Sequence, residues 1–592
     1  MTRTKVICTI GPACNTYEKI IGLCKAGMNV ARLNFSHGTH EEHLLVIEHL
    51  KNARRELKMP LAIMLDTKGP EIRIGKLFEG EIALQKGDLL SLIEAGREPP
   101  GPMQIPIHPG SILPLIPIGT QVLFDDGYIS SYVVSVDNNI VQVEIDNQGL
   151  LLSGKGVNIP NVDLQLPAVT EKDISDICFG CEHDVDVIAA SFVRSPEHVM
   201  VIKNLLAKQG KPEIQVIAKI ENYEGIRNFD SIVLVADGIM IARGDLGVEV
   251  PLSEVPRLQK MMIRKSYLAG KPSVTATQML ESMIYHPRPT RAEVSDVANA
   301  IYDSTSAVML SGETAIGRYP FETVNVMKRI IKDAEEDFNY RAFFDNFRNI
   351  TFVDVPSSVT LATVKTAYSS NAKAIFAFTT GGSTARLVAR LRPGIPIIAM
   401  TANEKCYHQL AYCWGVVPFL QGGCRTVLDA FRKVSDFALE RDLVHLGALV
   451  VVTAGVPFGT SGTTNTMMVE SIGEGEILIR AGNGFGSAVY GNVKHVFSPE
   501  LTHTYTVRGQ LLVIATCDES YLPLIQESAG VILQNLATDL ESENYLLSVA
   551  KEYNKPVITR ADTAFRVLAE GQLVTVDPEK KLVYKGAVVL RE

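Results

Sequence analysis

Eight short apolar, β-branched runs, each followed by a stretch with helical periodicity, constrain this chain more than any other feature. The runs are 5–10 (KVICTI), 28–35 (MNVARLNF), 61–67 (LAIMLDT), 185–193 (VDVIAASFV), 213–221 (EIQVIAKIE), 238–244 (GIMIARG), 271–277 (KPSVTAT) and 306–311 (SAVMLS). Helical patterns follow, for example at 39–57, 195–208, 253–269 and 321–336. Strand–helix alternation builds a parallel sheet. Eight such units predict a (β/α)₈ barrel, in which functional groups gather at the C-terminal ends of the strands.

One connection is too long for a barrel loop. Between the third run and a helical pattern at 171–182 lie about a hundred residues, Pro70 to Pro167. Within them 121–124 (QVLF), 128–136 (YISSYVVSV) and 140–145 (IVQVEI) alternate like half-exposed strands, separated by DDG and DNN turns. This predicts an inserted β domain over the barrel mouth, able to act as a lid. After the barrel, strand "AIFAFT", loop "TGGS", helix "TARLVARL" and strand "IPIIAMT" form the centre of a further α/β unit. The predicted layout is a barrel over 1–69 and 168–337, a β lid over 70–167, an α/β domain over 338–473 and an extra β/α segment over 474–592.

Composition narrows the function classes. The chain of 592 residues is 46% apolar and 21% charged, which suits packed cores. A net charge of −9 argues against a nucleic-acid surface. No apolar stretch reaches membrane-spanning length, and no apolar h-region precedes Lys5, so neither a membrane span nor a signal peptide is expected. Nine scattered cysteines suit a reducing cytoplasm. Cys178 and Cys181 form a lone CxxC with no second ligand pair nearby, which reads as two helix residues rather than zinc ligands.

The stretch "QVIAKIENYEG" (215–225) ends a buried run on two charges, Lys219 and Glu221. Alternation along a strand places both on one face, about 6.6 Å apart along the axis. Charges are rarely left at the end of a buried strand without a partner or a task. The other strands end similarly: Arg32, Asn34 and Ser36; Asp66, Thr67 and Lys68; Arg243, Gly244 and Asp245; Thr277; Ser311, Gly312 and Glu313. All therefore face a shared mouth. Glu221 and Asp245, expected on adjacent strands, suit one Mg²⁺, which takes one or two carboxylates plus water and substrate oxygens. Lys219 and Arg32 can neutralise a phosphoryl group or an enolate. Asn34, Ser36, Asp66 and Thr67 offer neutral oxygens and one charge, a shell for a monovalent cation. Each residue alone reads more simply as half of a structural ion pair or as an ordinary strand residue. Convergence of five or six strand ends on one rim favours the functional reading.

These residues also carry a resemblance. "VIAKIENYEGI" resembles the signature of pyruvate kinases, as do "ARLNFSHG" (31–38), "LDTKGPEIR" (65–73), "ARGDLGVE" (242–249), "TATQMLESM" (275–283), "PRPTRAEVSDVANA" (287–300) and "MLSGETA" (309–315). The likeness spans about 1–473. It implies transfer of a phosphoryl group from phosphoenolpyruvate to ADP, giving pyruvate and ATP in glycolysis. By resemblance Lys219 stabilises the transferring phosphoryl and the enolate, and Arg32, Gly244, Asp245 and Thr277 join it in holding substrate. Glu221 and Asp245 bind Mg²⁺ (or Mn²⁺), and Asn34, Ser36, Asp66 and Thr67 bind K⁺. Thr277 helps to deliver a proton to the enolate methylene. Arg73, Lys155, Asn34 and His37 lie on the nucleotide side. Glu71 is the acid that K⁺-requiring members carry. The family is usually a homotetramer. Two alternatives remain at this stage, a Mg²⁺-enolate carbon–carbon lyase and a metabolite-sensing pseudoenzyme.

The loop Thr379, Thr380, Gly381, Gly382, Ser383 and Thr384 joins a strand to a helix, where backbone N–H groups and hydroxyls can take a phosphate. The family's sugar-phosphate effector site uses a similar loop, which implies a sugar-phosphate or nucleotide effector, and "GTSGTTN" (459–465) could close over it. Residues 474–592 resemble the swivelling phosphohistidine domain of phosphoenolpyruvate-utilising enzymes. Where that domain carries its histidine this chain reads "LQNLATDLESENY" (533–545), and no histidine follows His503. Asp539, Glu541 and Glu543 offer carboxylates only, which repel phosphate. The extension is expected to be catalytically inert.

Overall fold

The computed structural model describes the chain except residues 1, 97–99, 138, 348–353, 425, 446, 457–461, 473–476, 499–506 and 587–592. Every one of the eight apolar runs is a strand, trimmed by a residue or more at its ends. They are β1 (Lys5–Thr9), β2 (Val30–Asn34), β3 (Ala62–Asp66), β4 (Val187–Ala190), β5 (Gln215–Ile220), β6 (Gly238–Ala242), β7 (Ser273–Ala276) and β8 (Ala307–Leu310). Each pairs in parallel with its neighbours and the set closes into a barrel, β1 meeting both β2 and β8. A parallel barrel is covered on both sides, which is why the runs are continuously apolar rather than alternating. Ile7, Val30, Met64, Val187, Ile217, Met240, Val274 and Met309 fill its interior.

Between β3 and β4 the predicted β insert is present. Its strands Leu89–Glu94, Gln121–Phe124, Ile129–Asp137 and Ile140–Ile145 belong to a seven-stranded sheet, with a two-stranded sheet beside it. In Ile140–Ile145 exposed and buried residues alternate strictly, so Val141, Val143 and Ile145 enter the insert's own core.

Two expectations need correction. The sixth run stops being a strand at Ala242, and Arg243–Glu249 is a short helix, α1. Asp245 therefore lies in the first turn of a helix and not on a strand adjacent to Glu221, itself one residue beyond β5. Thr277 likewise lies just past β7, in left-handed backbone at φ 62°.

By contacts the chain divides into two compact units. One comprises 1–365, 376–430 and 453–467, and the other 366–375, 431–452 and 468–592. A five-stranded sheet orders its strands Val416–Leu420, Ile397–Thr401, Ala374–Phe378, Leu449–Gly455 and Thr464–Ser471. In the second unit an eight-stranded sheet includes Ile477–Arg480, Val489–His495, Leu511–Ile514 and Gly530–Leu533, with helix α2 (Leu540–Tyr553) over it. All nine cysteines are free thiols. Among the described residues no helix is long and apolar enough to cross a membrane.

Candidate active site

Strand periodicity puts Lys219 on the inner rim, and the barrel supplies its partners. Its ammonium donates to Asp66 Oδ1 at 3.0 Å and to Ser191 Oγ at 2.6 Å, and lies 3.0 Å from Glu221 Oε1. The two charges of the "KIE" step are thus not merely parallel; the long side chains fold back and pair. Arg32 Nε donates to the other oxygen of Asp66 at 2.6 Å, and its Nη1 to Thr9 Oγ1 at 2.9 Å. Lys219 is 8% exposed, Glu221 1% and Asp66 0%, so the cluster is far drier than an open mouth. Burial pulls the Lys219 ammonium down, but Asp66 and Glu221 outweigh it and its pKa is raised. Burial likewise pushes Asp66 up, yet Arg32 and Lys219 hold it below its usual range.

Glu221 and Asp245 behave oppositely. Burial pushes Glu221 up to about 7 against the pull of Lys219, with Asp245 adding repulsion. Burial raises Asp245 as well, and Asp126 and Glu71 of the insert raise it further. Among the described residues no group of three or more His, Cys, Asp and Glu is placed to hold a metal. Two carboxylates that repel each other still have excess negative charge that a divalent cation relieves, and the remaining ligands can be water and substrate oxygens. The donor set therefore fits Mg²⁺ or Mn²⁺.

Backbone strain orients this site. Phe192 sits at φ 53°, which costs about 1–2 kcal/mol for a non-glycine residue, and its N–H donates to Glu221 Oε2 at 2.5 Å. Gly69 packs against the same segment: at φ 74° a Cβ there would lie 2.7 Å from the Phe192 ring and 2.9 Å from Ser191 Cβ. Thr277 and Gln278 are both left-handed, at φ 62° and 53°. The Thr277 hydroxyl accepts from Gly244 N–H at 2.8 Å and donates to the Ala276 carbonyl at 2.7 Å. Arg243 braces this turn, donating to the Thr277 carbonyl at 2.8 Å and pairing with Asp296 at 2.7 Å.

Of the monovalent-cation candidates, Asn34 and Asp66 end adjacent strands, whereas Ser36 lies in the turn after β2, not on its face as expected, and Thr67 just past β3. Asn34 and Asp66 are register partners across β2 and β3. Asn34 Oδ1 accepts from Ser36 N–H at 3.2 Å, and Thr67 Oγ1 accepts from Ser191 N–H at 3.1 Å. Arg73 and Lys155, expected on the nucleotide side, both line a cavity of about 600 Å³ together with Asp125, Asp126 and Asp245. Arg73 pairs with Glu71 at 2.7 Å and Lys155 with Asp125 at 2.8 Å, and each partner raises the pKa of its base. His37 is exposed and does not line that cavity; its carbonyl accepts from His43 Nε2 at 2.9 Å.

The chain has known relatives. The family description "Pyruvate kinase, barrel domain" matches residues 1–324, and "Pyruvate kinase, alpha/beta domain" matches 357–470. The chain belongs to the pyruvate kinase family. Pyruvate kinases of Sporosarcina psychrophila and Geobacillus stearothermophilus are 40% and 41% identical to it, over 99% of both chains in each case. One from Clostridium acetobutylicum is 45% identical over 473 residues, all of that protein but 80% of this chain. A crystal structure of a pyruvate kinase from Cryptosporidium parvum superposes with a TM-score of 0.77 at 38% identity, covering 80% of this chain and 96% of that one. The activity is accordingly pyruvate kinase, a phosphotransferase reaction, and the lyase and pseudoenzyme readings lapse.

Outside the barrel rim, Thr379, Thr380, Ser383 and Thr384 line a separate cavity of about 320 Å³ with Gln421–Cys424 and Gly462–Thr464. Gly381 and Gly382 do not line it; Gly382, at φ 84°, donates its N–H to Thr379 Oγ1 and precedes a helix of only seven residues, Ser383–Ala389. The second loop does meet the first, since the hydroxyls of Thr384 and Thr464 are hydrogen-bonded at 2.6 Å; residues 459–461 lie outside the described ones. In the extension the acidic run is not the bare charge cluster expected. Asp539 caps α2, and Glu543 is buried on Arg560 at 2.8 Å, with Asn483 and Thr559 also donating to it. Burial pushes that carboxyl up, and the three donors more than reverse it.

Sequence reasoning missed Ser191, whose hydroxyl accepts from Lys219 and donates to the Thr67 carbonyl at 2.6 Å. The available signal was its position just past β4, on the same rim as the other polar strand ends.

Proposed function

We propose that phosphoenolpyruvate is bound and its phosphoryl group passed to ADP at the rim formed by β2, β3, β5 and α1. The observation that carries this reading is Lys219, fixed by three oxygens between Asp66 and Glu221 with Arg32 on the far side of Asp66. Phosphoryl transfer asks a protein for positioning and charge neutralisation rather than covalent chemistry. As an ADP oxygen bonds to phosphorus, the bond from phosphorus to the enol oxygen breaks and its electron pair stays on that oxygen. Arg32 and the raised, fully cationic Lys219 neutralise the phosphoryl and the nascent enolate. Because their positions are set in advance by Asp66 and Ser191, little reorganisation accompanies the charge shift. Ketonisation then needs a proton on the methylene carbon. Thr277 is the relay: its hydroxyl turns from the Ala276 carbonyl and is recharged from solvent, while Gly244 N–H and the strained turn hold its oxygen in place.

Glu221 and Asp245 would hold Mg²⁺ or Mn²⁺, which supplies charge for the phosphoryl oxygens when bound. Asn34, Ser36, Asp66 and Thr67 would hold K⁺, and Arg73 and Lys155 would take the nucleotide in the cleft. Asn34 and His37, also expected on the nucleotide side, do not line that cleft. The hydroxyl-lined cavity at 379–384 would take a phosphorylated sugar or nucleotide effector. We further propose the domain limits 1–69 with 168–337, 70–167, 338–473 and 474–592; the full coverage of a 473-residue relative supports the last boundary. A cytoplasmic homotetramer accords with free thiols and with the family. Pyruvate release from phosphoenolpyruvate plus ADP, coupled to lactate dehydrogenase, tests the reading: activity should vanish with chelator and return with Mg²⁺ or Mn²⁺. Turnover indifferent to chelation would refute the metal-assisted site.

A further inference from the structure

The inserted domain reaches α1 through a side chain. Asn158 Nδ2 donates to Glu249 Oε1 at 3.0 Å. Glu249 ends the helix in which Asp245 occupies the first turn, and the i,i+4 spacing puts both carboxylates on one face. The backbone is close here too: a Cβ on Gly127, in the insert's DDG turn, would lie 3.5 Å from Val248 Cγ1. At the other end of the cleft Arg194, beyond β4, donates to the carbonyls of Leu166 and Pro167, where the insert's chain returns to the barrel. The cavity of about 600 Å³ runs between these two ties, with Arg73 and Lys155 on the insert side and Asp245 and Glu249 on the helix side.

Glu249 is poorly served without Asn158. Burial raises its pKa, and the Asn158 hydrogen bond is what opposes that rise. If the insert swings away, the carboxylate loses that donor, and hydrogen bonds to charged groups are the stronger ones. The insert is therefore held where Arg73 and Lys155 face the helix that carries Asp245. A contact present in one arrangement and lost in another shifts the balance between them.

We propose that Asn158 and Glu249 form a latch that ties the inserted domain to the metal-bearing helix, so that capture of the nucleoside diphosphate depends on this contact. The inference rests on the reading of the cleft as the nucleotide site. Both are positioning residues, since neither touches the reacting atoms. Steady-state kinetics of the full chain with Asn158→Ala, Glu249→Gln, the double variant and Arg73→Ala test it. Asn158→Ala should raise KM for ADP about tenfold, the effect of losing one hydrogen bond to a charged group, with kcat and KM for phosphoenolpyruvate within twofold. Glu249→Gln keeps an acceptor oxygen and should raise it about threefold or less. The double variant should match Asn158→Ala within twofold, because the same bond is lost only once. A merely structural role would lower kcat and disturb both substrates together. A double variant whose KM for ADP exceeds that of Asn158→Ala by more than twofold would overturn the latch, as would an unchanged KM for ADP in Asn158→Ala when Arg73→Ala raises it. If neither Arg73→Ala nor Asn158→Ala moves that KM, the cleft reading falls and the latch falls with it.

Discussion

Replacing Lys219 by Met removes the ammonium and keeps most of the side chain's length and apolar stem. Its neighbours are not stranded. Asp66 retains Arg32 at 2.6 Å, and Glu221 retains the Phe192 N–H at 2.5 Å. Glu221 already sits at about 7, so it can shed its uncompensated charge by taking a proton. The loss of fold stability is therefore expected to stay below the ~3–5 kcal/mol typical of breaking a buried ion pair. Catalysis should fare much worse. One neutral donor aimed at developing charge is worth about 2.7–4 kcal/mol, and a full cation on a transferring phosphoryl about 10³–10⁵ in kcat. Lys219→Met should accordingly lower kcat by about 10³–10⁵. KM for phosphoenolpyruvate should change by less than about fivefold, because the interaction is made chiefly in the transition state. The assay is coupled pyruvate formation, with Tm measured beside it. A variant with native Tm and kcat within tenfold of the parent would refute the role assigned to Lys219.

Other consequences are equally direct. Glu221→Gln or Asp245→Asn should each raise the Mg²⁺ concentration for half-activation at least tenfold, and an unchanged value in both would make the carboxylates structural. Since burial holds Glu221 near 7 and raises Asp245, protons compete with metal there: Mn²⁺ affinity, titrated directly, should fall by up to tenfold per pH unit below about 7, whereas a flat profile from pH 5.5 to 7.5 contradicts the competition. Glu71, placed by Arg73 within electrostatic reach of Asp245, predicts K⁺ dependence, and full turnover in K⁺-free buffer would remove the monovalent site. Activation by a phosphorylated sugar or nucleotide should disappear in Ser383→Ala/Thr384→Ala, and an identical response in variant and parent would move the effector elsewhere. A chain ending at Gly473, a residue outside the described ones, should keep most pyruvate formation but lose several degrees of Tm or change its oligomer, and labelled phosphoenolpyruvate should leave no acid-labile phosphate on the extension.

Much of the barrel was legible because a two-sided parallel strand must be a short continuous apolar run, and eight of these stand out. The insert was legible for the complementary reason, strict alternation as in Ile140–Ile145 with DDG and DNN turns between strands. Period-two reasoning also put Lys219 and Glu221 on one face. It could not show that they pair, since axial spacing of Cα atoms says little about where flexible side chains end. Asp245 was placed on a strand because "RGDLGVE" is too short to display a helical period; the helix is set by tertiary packing. The left-handed turns at Phe192 and Thr277 carry no local signal, as neither residue type favours that conformation. Ser191 and Lys219, or Asn158 and Glu249, are joined only by closure of the barrel and seating of the insert, 28 and 91 residues apart in sequence.

On the function proposed for this site, one divalent cation joins Glu221 and Asp245 beside Lys219 at the barrel rim. Anomalous diffraction from crystals grown with Mn²⁺ and phosphoenolpyruvate tests it most directly. A dominant peak is expected within about 2.0–2.2 Å of one carboxylate oxygen from each residue, allowing slightly more than the distances of Mg²⁺, with substrate oxygens completing the shell. Strong Mn²⁺ peaks elsewhere, with none between these two carboxylates and substrate density in place, would contradict it.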